Sequence, residues 1–387
     1  MSDHALLGPS KSKQWLTCTP SVRAETGYPN ESNEAAEEGT LAHDICEVLI
    51  KERLGKITKQ KAVFDFNALI KGKLSKYYNA EMLEYCKGFL AFVMEKWSYA
   101  LSIDPRAVII IEERFELARW IPESFGRTDV TIIAGHLMVV IDLKYGQGVR
   151  VEAKGNTQTR LYALGGLDKF KSVYPIQEVE MHIWQPRLQN FGTDRISAYE
   201  LWEWAETFVK PRAQKAFVGL GDYEAGDHCK FCKAKPRCRT ASEYARTPAG
   251  RVNFADPNTL TDEEIAEIAL TLPLLMSYGK DVTAYMLTKA LAQGKQWPGF
   301  KLVEGRSNRQ IVDEQAAILK LYNKGYKEVY DTKIKPFGQL DAIVGATNLS
   351  EILGNLIVKP SGKPTLVPDG DTRTSYQTAA SEFKPLV

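Results

Sequence analysis

No run of about 18 or more apolar residues occurs in this 387-residue chain, which excludes a helix long enough to cross a bilayer. No secretory leader is recognisable, so a cytoplasmic protein with reduced thiols is expected, and no membrane partner. The string G-x-x-x-x-G-K-[ST] is missing, so ATP-driven translocation is not expected. No internal repeat stands out. Excess charge of one sign is also lacking: 50 Lys and Arg against 48 Asp and Glu leave +2, too little for global charge to announce nucleic acid. What is present, 44% hydrophobic and 25% charged residues, is the composition of a globular protein with one large domain and an appendage, or two domains.

The most informative stretch runs from Thr128 to Tyr162. Thr128 to Ala134 and Leu137 to Leu143 are rich in Val and Ile, with Gly135-His136 between them as a two-residue turn, which predicts a β-hairpin. That register sets Asp129 opposite Asp142. Cross-strand partners lie about 5 Å apart, so both carboxylates could share a divalent cation. Lys144, two residues beyond Asp142, points to the same face. Val130, Ile132, Val139 and Ile141 form the other face, which is expected to be the buried one, with the acids and the lysine presented on the open side. Asn156 to Leu164 reads as a helix whose Gln158 and Tyr162, at i and i+4, share a face.

Cys229, Cys232 and Cys238 are clustered, with gaps of two and five residues, while Cys18 stands far upstream. In a reducing compartment such a cluster reads as a metal site. His228 would complete a zinc site of three cysteines and one histidine; Cys18 would complete a four-cysteine iron–sulfur site. Cys46 and Cys86 sit in helical patterns and read as buried thiols. Lys230, Lys233, Lys235, Arg237 and Arg239 surround the cluster and could grip phosphates.

Residues 30–54 and 79–102 read as helices, Ala107 to Leu117 and Val179 to Trp184 as strands, and Ser197 to Phe217 as a long helix. In the first of these strands Glu112 and Glu113 read as solvent-facing or paired and are left out of the site. Helices around a small mixed sheet make an α/β architecture. A loop is expected from Thr247 to Asn258, then a helix from Leu260 to Leu291 broken near Pro273, another from Ala316 to Asn323, and an extended or disordered tail over 359–387. The implied organisation is a core over 1–246, a mostly helical extension over 247–358, and the tail.

Taken together, these motifs resemble the PD-(D/E)XK nuclease superfamily, in its RecB-type exonuclease branch. Glu38-Gly39-Thr40-Leu41-Ala42-His43 is similar to the first motif of that branch and Gly126-Arg127-Thr128-Asp129 to the second; Asp142-Leu143-Lys144 and Gln158-Thr159-Arg160-Leu161-Tyr162 are similar to the third and fourth. The likeness covers about residues 10–245 and is strongest to phage- or prophage-encoded members, including the segments Gly305-Arg306-Ser307-Asn308 and Lys359-Pro360-Ser361-Gly362-Lys363-Pro364.

The resemblance implies a restriction-endonuclease-like α/β core, with a helical N-terminal part, that hydrolyses DNA phosphodiesters as an exonuclease in recombination or end processing. Mg²⁺ or Mn²⁺ would sit on His43, Asp129, Asp142 and the backbone carbonyl of Leu143. Read alone, His43 lies off the apolar stripe of Leu41, Ile45 and Val48, as a solvated histidine would. The catalytic set implied is Asp129, Asp142, Lys144, Gln158 and Tyr162. Iron–sulfur members place one cysteine before the core and three after it, which implies a [4Fe–4S] cluster on Cys18, Cys229, Cys232 and Cys238, with zinc the alternative. A phage single-strand annealing protein would be the partner. Two other readings stay open: a silent DNA-end-binding module, or a zinc-binding phage structural protein.

Overall fold

The computed structural model describes residues 5–28, 34–146, 148–251, 262–305, 310–326, 329, 334–358, 360, 362–368 and 374–376. Two compact units divide the chain, Met1–Gly250 and Arg251–Val387. The first begins with α1 (Ser12–Thr17), α2 (Ser21–Ala24), α3 (Glu34–Arg53), α4 (Lys59–Lys71) and α5 (Ala80–Ile103). Then come β1 (Val108–Glu116), β2 (Phe125–Ala134), β3 (Leu137–Leu143), α6 (Thr157–Phe170), β4 (Glu178–Gln185) and β5 (Asn190–Ser197). It closes with α7 (Ala198–Trp204), α8 (Lys210–Val218) and α9 (Arg239–Arg251).

The five strands make one mixed sheet in sequence order. All neighbours are antiparallel except β3 and β4. A parallel pair needs a crossover, and α6 is that crossover. Asn156 starts it by accepting the N–H groups of Gln158 and Thr159 at 3.0 and 3.1 Å, an N-cap.

The β2–β3 hairpin keeps the expected register, with Val130 opposite Ile141, Ile132 opposite Val139 and Ala134 opposite Leu137. Gly135 supplies the positive φ of 57° that the two-residue turn demands. One expectation fails: neither face of this hairpin is open. Val130, Ile132, Val139 and Ile141 pack in the core beneath α3 and α5. Ile133, Met138 and Val140, on the acid-bearing face, pack against Leu161 and Leu164 of α6. The crossover helix covers the side that a free hairpin would show to water, which leaves the charged groups at the strand ends.

Other departures are local. The expected long helix over 197–217 is present as an unbroken run from α7 through a π-helical turn, Ala205–Val209, into α8, whereas α4 and β5 have no counterpart among the expected elements. Instead of a loop at Thr247, α9 continues to Arg251, and residues 252–258 lie outside the described residues.

The second unit holds α10 (Asp262–Gln293), β6 (Phe300–Glu304), β7 (Gln310–Ile311), α11 (Glu314–Asn323), α12 (Phe337–Val344), α13 (Ala346–Leu353), β8 (Ile357–Val358) and β9 (Pro364–Pro368). Its core gathers Ala317, Leu321, Leu340, Leu349 and Leu353. No break occurs at Pro273, which lies inside α10; a proline deletes one donor, and long flanking turns carry the helix past it. Within the expected tail, Pro364–Pro368 pairs with Phe300–Glu304. Arg306, Ser307, Asn308, Lys359, Ser361 and most of the tail lie outside the described residues. Among the described residues, no helix is long and apolar enough to cross a membrane.

A buried ion cluster ties α5 to the sheet. Glu180 on β4 is 2% exposed and pairs with Lys96 Nζ at 3.0 Å, His182 Nε2 at 2.6 Å and the Arg195 guanidinium. The His182 hydrogen bond, reinforced by Lys96 against the effect of burial, holds the Glu180 carboxyl at about 2, below its ordinary 4.5. A depressed carboxyl stabilises the fold fully above its unfolded value and loses that contribution as pH falls toward the folded one. E180Q is therefore expected to lower unfolding free energy by roughly 2–3 kcal/mol at pH 7. In denaturant titrations, the gap from wild type should close between about pH 4.5 and 2; a constant gap would mean that charge is not what Glu180 contributes.

Candidate metal centre and cysteine cavity

Pairing of β2 with β3 runs from Ala134–Leu137 to Val130–Ile141 and stops there. Just beyond, the Leu143 N–H donates to Asp129 Oδ2 at 2.6 Å. Asp129 thus takes over a backbone donor where the strands part. Its other oxygen meets His43 Nδ1, from α3, at 3.0 Å. Burial raises the Asp129 carboxyl, but His43 and the Leu143 N–H outweigh it and leave the group below its ordinary value. The same contact works in reverse on His43. Burial pulls the imidazole down, and the Asp129 carboxylate lifts it to about 9.

Asp142 is 3% exposed and has a different set of neighbours. Lys144 Nζ stands 2.9 Å from its Oδ2, an ion pair set off the line of a hydrogen bond. Gln158 Nε2 reaches its Oδ1 at 3.4 Å, a long contact. Burial dominates here and pushes the Asp142 carboxyl up despite Lys144. Gln158 also accepts from Lys144 Nζ through Oε1 at 2.9 Å, and its Nε2 meets the Tyr162 hydroxyl at 2.8 Å. The i, i+4 pair on α6 therefore braces the lysine. Gly126 makes room for it, because a Cβ there would lie 2.8 Å from the Tyr162 ring.

The donor atoms that converge, all within 4.8 Å of one another, belong to His43, Asp129 and Glu112. This group shares His43 and Asp129 with the expected ligand set and adds Glu112. Asp142 stands outside that group, turned to Lys144 and Gln158, and Leu143 borders Asp129 through its N–H. Glu112, left out on sequence, faces Asp129 because the β1–β2 register puts Ile111 opposite Val130 and Glu113 opposite Thr128. Its backbone lies in the left-handed region, with φ 53°, a conformation that costs a non-glycine residue in a strand about 1–3 kcal/mol. Burial, then the Asp129 carboxylate, lift its acid to about 7. Pairing the predicted first strand with the hairpin would have revealed it. Glu113 is paired, as expected, with Lys169.

A second feature lies elsewhere in the same unit. Cys18, Cys229, Cys232 and Cys238 line one cavity of about 430 Å³, together with Ser21 and His228. All four thiols are free, as are the buried Cys46 and Cys86. Glu25 accepts the Lys233 N–H at 2.8 Å, Thr19 Oγ1 donates to the Leu220 carbonyl at 2.6 Å, and Arg23 Nε to the Phe217 carbonyl at 2.7 Å. These bonds hold the N-terminal segment against the end of α8 and the cysteine loop that follows it. His228 Nε2 donates to the Glu224 carbonyl at 3.0 Å. Burial raises the Cys229 thiol, but His228 and the Gly226 backbone bring it below its ordinary value; burial takes Cys232 up to about 12. Of the five basic residues expected to grip phosphates, Lys235 is buried, whereas Lys230, Arg237 and Arg239 are exposed.

Fold and site define an α/β protein with a histidine–carboxylate centre and a separate four-cysteine cavity. The chain belongs to the family described as "Protein of unknown function (DUF2800)", whose model matches residues 4–374. Among solved structures, one titled "Crystal structure of SSO0001" aligns over 59% of this chain and 95% of its own, at 12% identity. Its TM-score of 0.23 carries no argument about fold or function.

Glu112→Gly separates ligation from folding. Glycine accepts φ 53° without strain, so the metal-free variant is expected to keep or raise its melting temperature. Mn²⁺ binding should weaken by about tenfold or more, as when a group at a metal site is lost. Calorimetric titration and thermal melts read the two effects. A lower melting temperature with unchanged Mn²⁺ affinity would make Glu112 structural.

Proposed function

We propose that this chain is a metal-dependent DNA nuclease with a PD-(D/E)XK core. The observation that carries the reading is the convergence of His43, Asp129 and Glu112 beside the Asp142–Lys144–Gln158–Tyr162 network. An imidazole with two carboxylates suits Mn²⁺ as well as Mg²⁺, since nitrogen donors favour the later metal. His43, Asp129 and Glu112 would hold the ion, with Asp142 adjacent, and it would supply Lewis acidity toward a phosphodiester oxygen.

The chain's own groups account for the rest. Lys144 is the cation able to orient a water or to meet charge developing on the phosphoryl oxygens. Gln158 fixes its ammonium, and Tyr162 fixes Gln158. DNA as substrate rests on the four-motif resemblance, and Lys230, Arg237 and Arg239 are exposed and available to phosphates.

We read the cysteine cavity as a [4Fe–4S] site rather than a zinc site, on the split of one cysteine before the core and three after it. His228 Nε2 lies 3.0 Å from the Glu224 carbonyl and 3.8 Å from Cys229 Sγ, so a zinc site of three cysteines and His228 is the alternative. Cys18, Cys229, Cys232 and Cys238 would hold the cluster, whose role here is structural, a tie between the N-terminal segment and the loop after α8.

End-labelled duplex and single-stranded DNA, incubated with anaerobically purified protein and Mn²⁺, Mg²⁺ or EDTA, tests the activity. Cutting should require the metal and fall by at least about a hundredfold in Asp142→Ala and Lys144→Ala. Wild-type cutting by Lys144→Ala would end its assigned role; a folded, loaded protein that cuts neither substrate would favour end binding alone. Cys232→Ser should lose iron and melt at lower temperature. A stable, fully iron-loaded variant would exclude Cys232 as a ligand.

A further inference from the structure

Ser21 stands three residues beyond Cys18, in α2, and is 3% exposed. It is among the residues that line the cavity shared by the four cysteines. Its Oγ is enclosed and has no hydrogen-bond partner among the described residues. Neighbouring polar side chains are satisfied: Thr19 bonds the Leu220 carbonyl, and Glu25 takes Gln14, Lys11 and the Lys233 N–H. A buried hydroxyl without an acceptor is unfavourable and uncommon. The acceptor it lacks is one that the loaded cavity would contain.

An iron–sulfur cluster offers such acceptors, the lone pairs of cysteine thiolate and inorganic sulphide. Hydrogen bonds to those sulphurs disperse negative charge and are among the protein's means of setting a cluster's potential. Resting on the iron–sulfur reading above, we propose that Ser21 donates a hydrogen bond to a sulphur of the cluster and so raises its reduction potential. Ser21 is then a positioning and tuning residue, distinct from the four ligands.

The test compares wild type, Ser21→Ala and Ser21→Thr, each purified anaerobically. Iron and acid-labile sulphide are counted first. Each protein is then titrated with dithionite and followed by electron paramagnetic resonance. The expected result is full iron in all three, a more negative midpoint for Ser21→Ala, and a midpoint near wild type for Ser21→Thr, which keeps the hydroxyl. Equal midpoints in all three would overturn the inference while leaving the cluster intact. An equal shift in both variants would also overturn it, since repacking and not the hydroxyl would be the cause. Wild-type protein carrying zinc in place of iron would overturn the cluster reading and this inference with it.

Discussion

Asp129 and Asp142 are carboxylates enclosed where β2 and β3 stop pairing, and enclosure deprives each of the hydration that a charge requires. Each is met differently. Asp129 has His43 and a backbone N–H, which keep it ionised. Asp142 has Lys144 but little else, and burial leaves it the weaker acid. Two similar groups one strand apart are thereby separated in character, as is common where acids take unlike roles. In the metal-free protein, the protonated His43 supplies positive charge that a bound cation would otherwise bring.

That demand for positive charge reaches outward through the fold. His43 can meet Asp129 because Leu41 and Ile45 anchor α3 in the core against the sheet. Lys144 can meet Asp142 because α6, laid down by the parallel crossover, brings Gln158 and Tyr162 over the strand ends. Glu112 is held in a strained backbone conformation beside Asp129, and strain of that kind persists where the surroundings impose it. The cysteine cavity is a separate device in the same unit. It joins residues more than two hundred positions apart, where Glu25, Thr19 and Arg23 already make three cross-links.

Local pattern made much of this legible. Val and Ile alternation with Gly135-His136 gave the hairpin and its register, and Asn156 marked the start of α6. Cysteine spacing singled out the three cysteines that, with Cys18, line the cavity. What escaped depends on pairings that no short window contains. Glu112 looked like a solvent-facing strand residue until β1 was aligned with β2. The acid-bearing face looked open until α6 was set upon it. The register pairs Asp142 with Asp129, but the contact Asp142 makes with Lys144, two residues on, depends on side-chain reach that the register does not contain. Pro364–Pro368 falls in a stretch with few large apolar residues, which reads as tail, yet its backbone pairs with Phe300–Glu304.

Manganese anomalous diffraction from crystals soaked in Mn²⁺ tests the central claim most directly. The account predicts a peak bounded by His43, Glu112 and Asp129, with Asp142 adjacent, that disappears in Asp129→Asn. A well-ordered site with no peak there, or a peak bound only by surface acids, would contradict it.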